Sequence, residues 1–382
     1  MKTTSRCLLC ATVLLGSLAV TSAQQPPPAP PVPPLQMDIE AAGLMQGWAL
    51  MAQRQYGLAE SHANTVLQRF PRSFPAVVLA IDASIASSGG EAGLARYESW
   101  LGQRTVEEPG LLRMVAIGIL KTEGRADSPT RSEALRLLAG TGVDIGELAA
   151  SSGAPGPAAR VLASAGNEQA VAQVIEELKA GATNDVAAIE ALAASGSQRA
   201  PTAIAAKLVD ARPEVRGAAA DALGRLQARS AQDKLRVLLK DEHSFVRVRA
   251  AAALMHLNDT SGLPLLRELL ASETPASRLI GAEALAAAPD AAWLEAVREL
   301  TRTGEPTVRL GAARLLVPHD PSAARQIIDL LSADPNPAVR ELATRTLAES
   351  SAGDLKTLRR LLTSDDPATR VKAAGGILAA TR

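Results

Sequence analysis

Residues 210–223 read Asp210-Ala-Arg-Pro213-Glu-Val-Arg216-Gly-Ala-Ala-Ala-Asp-Ala-Leu223, and four periods of 31 residues later stands Asp334-Pro-Asn-Pro337-Ala-Val-Arg340-Glu-Leu-Ala-Thr-Arg-Thr-Leu347. The closing leucine returns at that spacing without an insertion, at Leu192, Leu223, Leu254, Leu285, Leu316, Leu347 and Leu378. A second column holds Arg216, Arg247, Arg278, Arg309 and Arg340, and a third holds Leu238, Leu269, Leu300, Leu331 and Leu362. A fixed period of about 20 to 50 residues means that one small unit is repeated, each copy unable to bury its apolar face without its neighbours. The two leucine columns lie about 15 residues apart, with Ala, Leu and Val recurring at three and four between them. Each unit therefore holds two short antiparallel helices, for instance near 231–240 and 244–257, and the fold class is an all-α solenoid.

Within a unit the order is an oxygen-bearing residue, then proline, then arginine: Asp210-Pro213-Arg216, Asp241-Ser244-Arg247, Ser272-Pro275-Arg278, Thr303-Pro306-Arg309 and Asp334-Pro337-Arg340, with serine in the proline place once. Proline suits the first helical turn, where its missing N–H has no intrahelical partner anyway, so it starts the second helix. The Asp, Ser or Thr of the turn can accept hydrogen bonds from unpaired amides or from a guanidinium, whose planar fork can bridge one turn to the next. This Asp-x-x-Pro-x-Val-Arg-x-x-Ala-Ala-x-Ala-Leu pattern resembles the HEAT repeat, in particular the short HEAT-like repeats named after phycobilisome lyases, over roughly the last 215 residues. The resemblance implies a ladder of Asp and Arg six apart, with pairs at Asp210/Arg216, Asp241/Arg247 and Asp334/Arg340. Ser272 and Thr303 weaken it beside Arg278 and Arg309.

The rest of the chain divides by composition. Residues 1–23 have the build of an export signal: Lys2 and Arg6, an apolar run from Cys7 to Val20, and small residues ending at Ala23. Both cysteines, Cys7 and Cys10, fall inside it, so a chain cleaved after Ala23 has no thiol. Residues 24–36 form a Pro-rich linker that favours an extended polyproline conformation. From 37 to 125 the pattern is helical, and Gly47, Leu50, Tyr56, Ala59, Ala63, Val66 and Pro71 resemble one tetratricopeptide-type hairpin followed by a poorer one. Residues 126–167 read as an irregular helical connector. The regular array, 168–382, holds seven units. Its first has Asp185 in the Arg column, and its last is one residue short, with Arg370 there; terminal units are expected to differ because one face meets water.

Charge and chemistry narrow the function. Lys and Arg number 40 against 40 Asp and Glu, and neither half departs from neutrality by more than three charges, which lacks the basic excess that phosphate binding uses. Aromatics are 2% of the chain, too few for a general stacking surface. The four histidines, His62, His243, His256 and His319, have no metal-ligand spacing among themselves, and no nucleophile, phosphate-loop or dinucleotide motif is present. No catalytic, metal or cofactor residue is expected. On the second helix, Val215, Ala219, Ala222 and Leu226 share one face, with Gly217, Asp221 and Gly224 opposite. Followed through the units, that opposite face gives Val248, Leu279 and Leu310 beside Arg314 and Arg345, a candidate apolar stripe with a basic edge for a partner, or else packing between adjacent helices. The expectation is an exported, periplasmic or extracellular, non-enzymatic scaffold that binds a protein partner, neither nucleic acid nor a membrane. The family's name also implies a chromophore lyase or isomerase, and HEAT-like folds include nucleic-acid binders; these are the rival readings.

Overall fold

The structure, a computed structural model, describes residues 34–102, 104–125, 130–150, 155–181, 184–286, 292–351 and 353–382. The export signal at 1–23 and residues 24–33 of the linker lie outside the described residues. Among these residues there are twenty-two α-helices, three short 3-10 turns and no strand, so the chain is an all-α solenoid. None of the helices is long and apolar enough to cross a membrane.

The first eight helices are α1 (Pro34–Ala52), α2 (Tyr56–Arg69), α3 (Phe74–Ser88), α4 (Gly90–Leu101), α5 (Pro109–Arg125), α6 (Arg131–Ala139), α7 (Gly146–Ala150) and α8 (Pro155–Ser164). Helix α1 starts at Pro34, so the last three residues of the Pro-rich stretch are helical. The array follows with α9 (Glu168–Ala180), α10 (Asp185–Ala194), α11 (Ala200–Ala205), α12 (Pro213–Arg225), α13 (Gln232–Leu238), α14 (Ser244–His256), α15 (Leu263–Leu270), α16 (Pro275–Leu285), α17 (Ala292–Thr303), α18 (Pro306–Leu316), α19 (Pro321–Leu331), α20 (Pro337–Ser350), α21 (Leu355–Leu361) and α22 (Pro367–Ala380). Five of the second helices open on proline as the sequence predicts. At the three turns that carry aspartate, its side chain accepts an amide two positions on: Asp210 from Arg212 at 3.0 Å, Asp241, before the serine-started α14, from His243 at 2.9 Å, and Asp334 from Asn336 at 2.8 Å.

Every member of the first leucine column is buried, from Leu192 at 0% exposed to Leu378 at 6%. The second helices form a continuous inner layer in which each packs on the next, from α8 through α10, α12, α14, α16, α18 and α20 to α22. The approach is close where the sequence has no side chain. A Cβ on Gly224 would lie 2.6 Å from the Ala253 backbone, and one on Gly217 would run into the Phe245 ring, so glycine is needed at both places for α12 to lie against α14. The array ends by returning to the start of the chain. Helix α22 packs on α5 and α6, and one hydrophobic core runs from Val77–Val161 of the N-terminal helices into Leu310–Leu378 of the array. The last unit therefore does not turn its free face to water, as a terminal unit was expected to; α5 covers it.

Candidate functional site

The arginine column shows how neighbouring units are joined. Nη1 of Arg216 donates to the carbonyls of Asp210 at 2.8 Å and Ala211 at 3.0 Å, holding its own turn closed. Its Nε and Nη2 reach forward to both carboxylate oxygens of Asp241 in the next unit, at 2.8 and 2.9 Å. The expected Asp210/Arg216 pairing is thus corrected: arginine binds the backbone of the residue six before it, and its carboxylate partner is one unit later. Arg247 and Arg340 repeat the backbone half, on the carbonyls of Asp241 and Glu242 and of Asp334 and Pro335. Side-chain carboxylates cannot take that place for the Asp210 group because they are already bound elsewhere: Arg212 and Lys207 hold Asp210. The Arg216 hydrogen bond keeps the Asp241 carboxyl below the ordinary carboxylate range, and Arg212 does the same to Asp210.

Where the next turn offers no carboxylate, arginine turns elsewhere. Arg278, facing Thr303, pairs with Glu299 on its neighbouring first helix, 2.6 Å away. An aspartate in the next turn is not sufficient either: Arg309, followed by Asp334, donates to the Thr301 carbonyl at 3.0 Å. In the first unit the polarity is reversed. Asp185, buried in the Arg column, accepts from Lys207 at 2.9 Å and from Arg212, the cations being supplied by the following unit.

At the last unit the same device closes the molecule. Arg370 holds the carbonyls of Ser364 and Asp365, and its Nε and Nη2 reach Glu123 of α5 at 2.8 and 2.5 Å, where a further unit would have offered an aspartate. Beside it Arg359 bridges Glu107 at 3.0 Å and Glu98 at 2.6 Å. Glu107 in turn accepts from the buried Tyr97 hydroxyl at 2.8 Å, and burial pushes that phenol above its usual value. Arg113 donates to the Leu378 carbonyl at the end of α22. Sequence reasoning did not find Glu98, Glu107, Arg113, Glu123 or Arg359. The one thread was Arg370 itself, which keeps the arginine's place in the shortened last unit although among the described residues no aspartate of the array pairs with it.

Closure brings five helices of distant sequence around one cavity of about 660 Å³. Glu133 and Arg136 come from α6, Arg160 and Val161 from α8, Glu190 from α10, Arg225 from α12 and Lys372 from α22. Each cation has a carboxylate: Arg136 grips Glu133 with two bonds, Arg160 pairs with Glu177, Arg225 with Asp221 at 3.1 Å, and Lys372 with Glu349 at 3.4 Å. Burial works to raise the Glu133 carboxyl, but the Arg136 bonds and the charges of Arg136 and Lys372 outweigh it and hold the group low. The wall between these pairs is apolar, with Val161, Ala187 and Ala191. His and Cys are missing from the lining; its carboxylates are Glu133, gripped by Arg136, and Glu190, and Ser164 donates to the Val161 carbonyl. Among the described residues no group of three or more His, Cys, Asp or Glu could hold a metal ion.

The expected partner stripe lies elsewhere, and it is not a free surface. Leu310 is 2% exposed, Leu279 fills the space left by the missing side chain of Gly311, and Val248 packs against the core between α14 and α16. The physical reason is that a second helix has two neighbours, its own first helix and the next second helix, so both faces are covered. Arg314 is exposed and pairs with Glu283, its counterpart one unit earlier, at 3.1 Å, while Arg345 pairs with Glu341 and Asp366.

With the ladder and the stacked pairs in place, residues 201–286 match the family model of HEAT repeats. This stretch is built of HEAT repeats. A search of the curated proteins found no match. Among solved structures, the complex of CpcE and CpcF of phycocyanin lyase from Nostoc sp. PCC7120 is similar at 23% identity over 67% of this chain and 94% of that one, with a TM-score of 0.34. An engineered protein is similar at 20% identity over 89% and 99%, with a TM-score of 0.27, and a second at 22% over 69% and 96%, with a TM-score of 0.22. The tetratricopeptide-like hairpins lie outside the HEAT match; in α2 the motif residues Ala59, Ala63 and Val66 are buried.

Proposed function

We propose that the protein is an exported, non-enzymatic HEAT-repeat scaffold that binds another protein across the cavity assembled by its closed array. The observation that carries this reading is the pairing of every cation around the cavity: Arg136, Arg160, Arg225 and Lys372 each have a carboxylate within reach. Walls already compensated in this way gain little from a small anion or a nucleic-acid backbone. They suit a polypeptide carrying both charge signs, which can exchange partners with each pair while its apolar side chains meet Val161, Ala187 and Ala191. Against catalysis weighs that the lining has no His or Cys, that Arg136 holds Glu133, and that Ser164 is turned to a backbone carbonyl. The leader at 1–23 supports export, with the mature chain beginning at Gln24.

The test is a photo-crosslinking residue at Glu190, exposed in the cavity, compared with one at Lys240 on a turn of the array, in cells of the source organism. The expected result is a protein adduct at position 190, none at 240, and a recovered chain whose first residue is Gln24. Equal labelling at both positions would remove the cavity from the reading. Covalent attachment of a chromophore to an acceptor protein by the purified chain would replace the scaffold with the lyase reading.

A further inference from the structure

Six of the eight aromatic residues, Trp48, Tyr56, Phe70, Phe74, Tyr97 and Trp100, fall within residues 48–100, although the rest of the chain packs its helices almost without rings. Three of them cluster at one end of the first hairpins. Phe74 meets Trp100 edge to face with centroids 6.4 Å apart, and the Tyr97 ring, tilted by 40°, lies 5.9 Å from that of Trp100. Phe74 is 46% exposed, Trp100 half-buried and Tyr97 buried, and Arg104 sits 4.6 Å over the Trp100 ring, so the cluster meets solvent at its Phe74 side and is held in orientation. Beside it Leu67, Pro71, Val77, Arg96, Ser99 and Trp100 line a cleft of about 200 Å³, with room for a proline ring. A half-buried tryptophan wall with an apolar floor and hydroxyl and guanidinium groups at the rim is the kind of surface that takes a polyproline II segment. That helix has no internal hydrogen bonds, so its carbonyls remain free to accept, and it loses little entropy on docking.

The chain carries such a segment immediately before α1 in its sequence. Residues 24–34 read Gln-Gln-Pro-Pro-Pro-Ala-Pro-Pro-Val-Pro-Pro and run directly into α1. Helix α1 lies against α2 so that Gly43 faces Val66, and the two helices are joined by the short turn at 53–55 and run antiparallel. At a rise of 1.5 Å per residue, Pro34 is about 13 Å beyond Gly43, toward the end where α2 finishes at Arg69 and where Leu67 and Pro71 line the cleft. Ten residues in a polyproline conformation reach about 31 Å, enough to span that end of the hairpins. We propose that the cleft of Leu67, Pro71, Val77 and Trp100 is a polyproline-binding site occupied by the chain's own tract at 24–33, which would tie the exported end of the protein down on its first hairpins.

The full chain carrying a photo-crosslinking residue at Val32 tests this, with the products mapped by mass spectrometry after mixing isotopically heavy and light protein. The expected product is a crosslink within one chain from position 32 to peptides containing Leu67, Pro71 or Trp100. Two variants should each lower its yield by about tenfold or more: Pro27, Pro28, Pro30 and Pro31 all changed to Ala, which cannot disturb the helical fold, and Phe74→Asp, which places an acid at the solvent-facing start of α3 where the helix accepts it. Crosslinks joining heavy to light chains would assign the cleft to a second copy and overturn the proposal. Crosslinks away from 67–104, none at all, or a yield unchanged in both variants would overturn it as well.

Discussion

Arg216 and Arg370 stand in the same column of the repeat and make the same bonds, yet they join different things. Arg216 closes its own turn and grips Asp241 of the following unit, so it extends the array. Arg370 closes its own turn and grips Glu123, which belongs to no repeat, so it ends the array by fastening it to α5. Solenoids more often end in a polar cap. Here the last unit keeps its apolar helix, with Ile377 and Leu378 buried, because the N-terminal hairpins act as the missing neighbour. A repeat unit does not distinguish a true successor from any helix that presents an apolar face and a carboxylate at the right place. The cavity depends on this, since Lys372 of α22 completes a wall that begins at Glu133 of α6.

The sharpest way to break the comparison is Glu123→Ala. Arg370 and Glu123 are both nearly buried, and removing one partner of a buried pair typically costs about 3–5 kcal/mol because the other charge is left uncompensated. The expected outcome is a loss of amide-exchange protection in α22 on the order of a hundredfold, with α12 and α14 unchanged. Loss spread evenly over all helices would mean that closure supports the whole array. Second in size is Arg216→Ala, expected to cost about 2–3 kcal/mol through the bidentate bond to Asp241 and the two carbonyls it leaves open. Its exchange signature should be confined to α12, α13 and α14, leaving α22 protected.

What the sequence disclosed and what it withheld divide along the same line. Period, helix pairs and proline starts were legible because each depends on residues within one unit: the leucines at Leu223, Leu254 and Leu347 are buried as their spacing requires, and Pro213, Pro306 and Pro337 begin helices. Relations between units were not. A helical wheel of α12 put Gly217 and Gly224 on an outer face, but that face meets α14, which no single helix can reveal. Asp and Arg six apart suggested one pair, whereas the turn geometry gives the arginine its own carbonyls and sends the carboxylate to the preceding unit's arginine. Glu123 stayed hidden because it lies outside the 31-residue array, some 250 residues from Arg370, with nothing periodic to connect them.

Acid should separate two regions of the array. Between 210 and 259 three carboxyls are held low: Asp210 by Arg212, Asp241 by Arg216, and Asp259 at about 2, where burial is outweighed by bonds from Ser261, Gln232 and Arg236. Each is depressed in the folded chain, so its contribution is complete above the unfolded value near 4 and disappears as pH falls through the lower folded value. Exchange protection of α12 and α14 should therefore decline from about pH 4 toward pH 2. Helices α16 and α18, whose turns carry Ser272 and Thr303, should change less. Glu299 is also held low, by Arg278, but it is exposed and solvent screens the pair. Parallel decline in both regions would show that the ladder carboxylates do not set the acid limit.

The smallest effect belongs to Arg278→Ala, and it decides how far the ladder is a property of the repeat. Arg278 occupies the same column as Arg216, but the next turn offers it Thr303 instead of an aspartate, and it pairs with an exposed glutamate. If the column stabilised by position alone, losing Arg278 would cost as much as losing Arg216. Because the buried carboxylate is what differs, the expected change in melting temperature is no more than about 1 °C, as for a surface pair. Thr303→Asp then supplies the missing partner. If the geometry of Arg216 and Asp241 recurs, Arg278 should turn from Glu299 to the new carboxylate, melting should rise, and Arg278→Ala in that background should become as harmful as Arg216→Ala. Melting left unchanged by Thr303→Asp would mean that the curvature between α16 and α18 holds the two turns too far apart for the pair, which makes the ladder a feature of the 210–247 junction and not of the repeat.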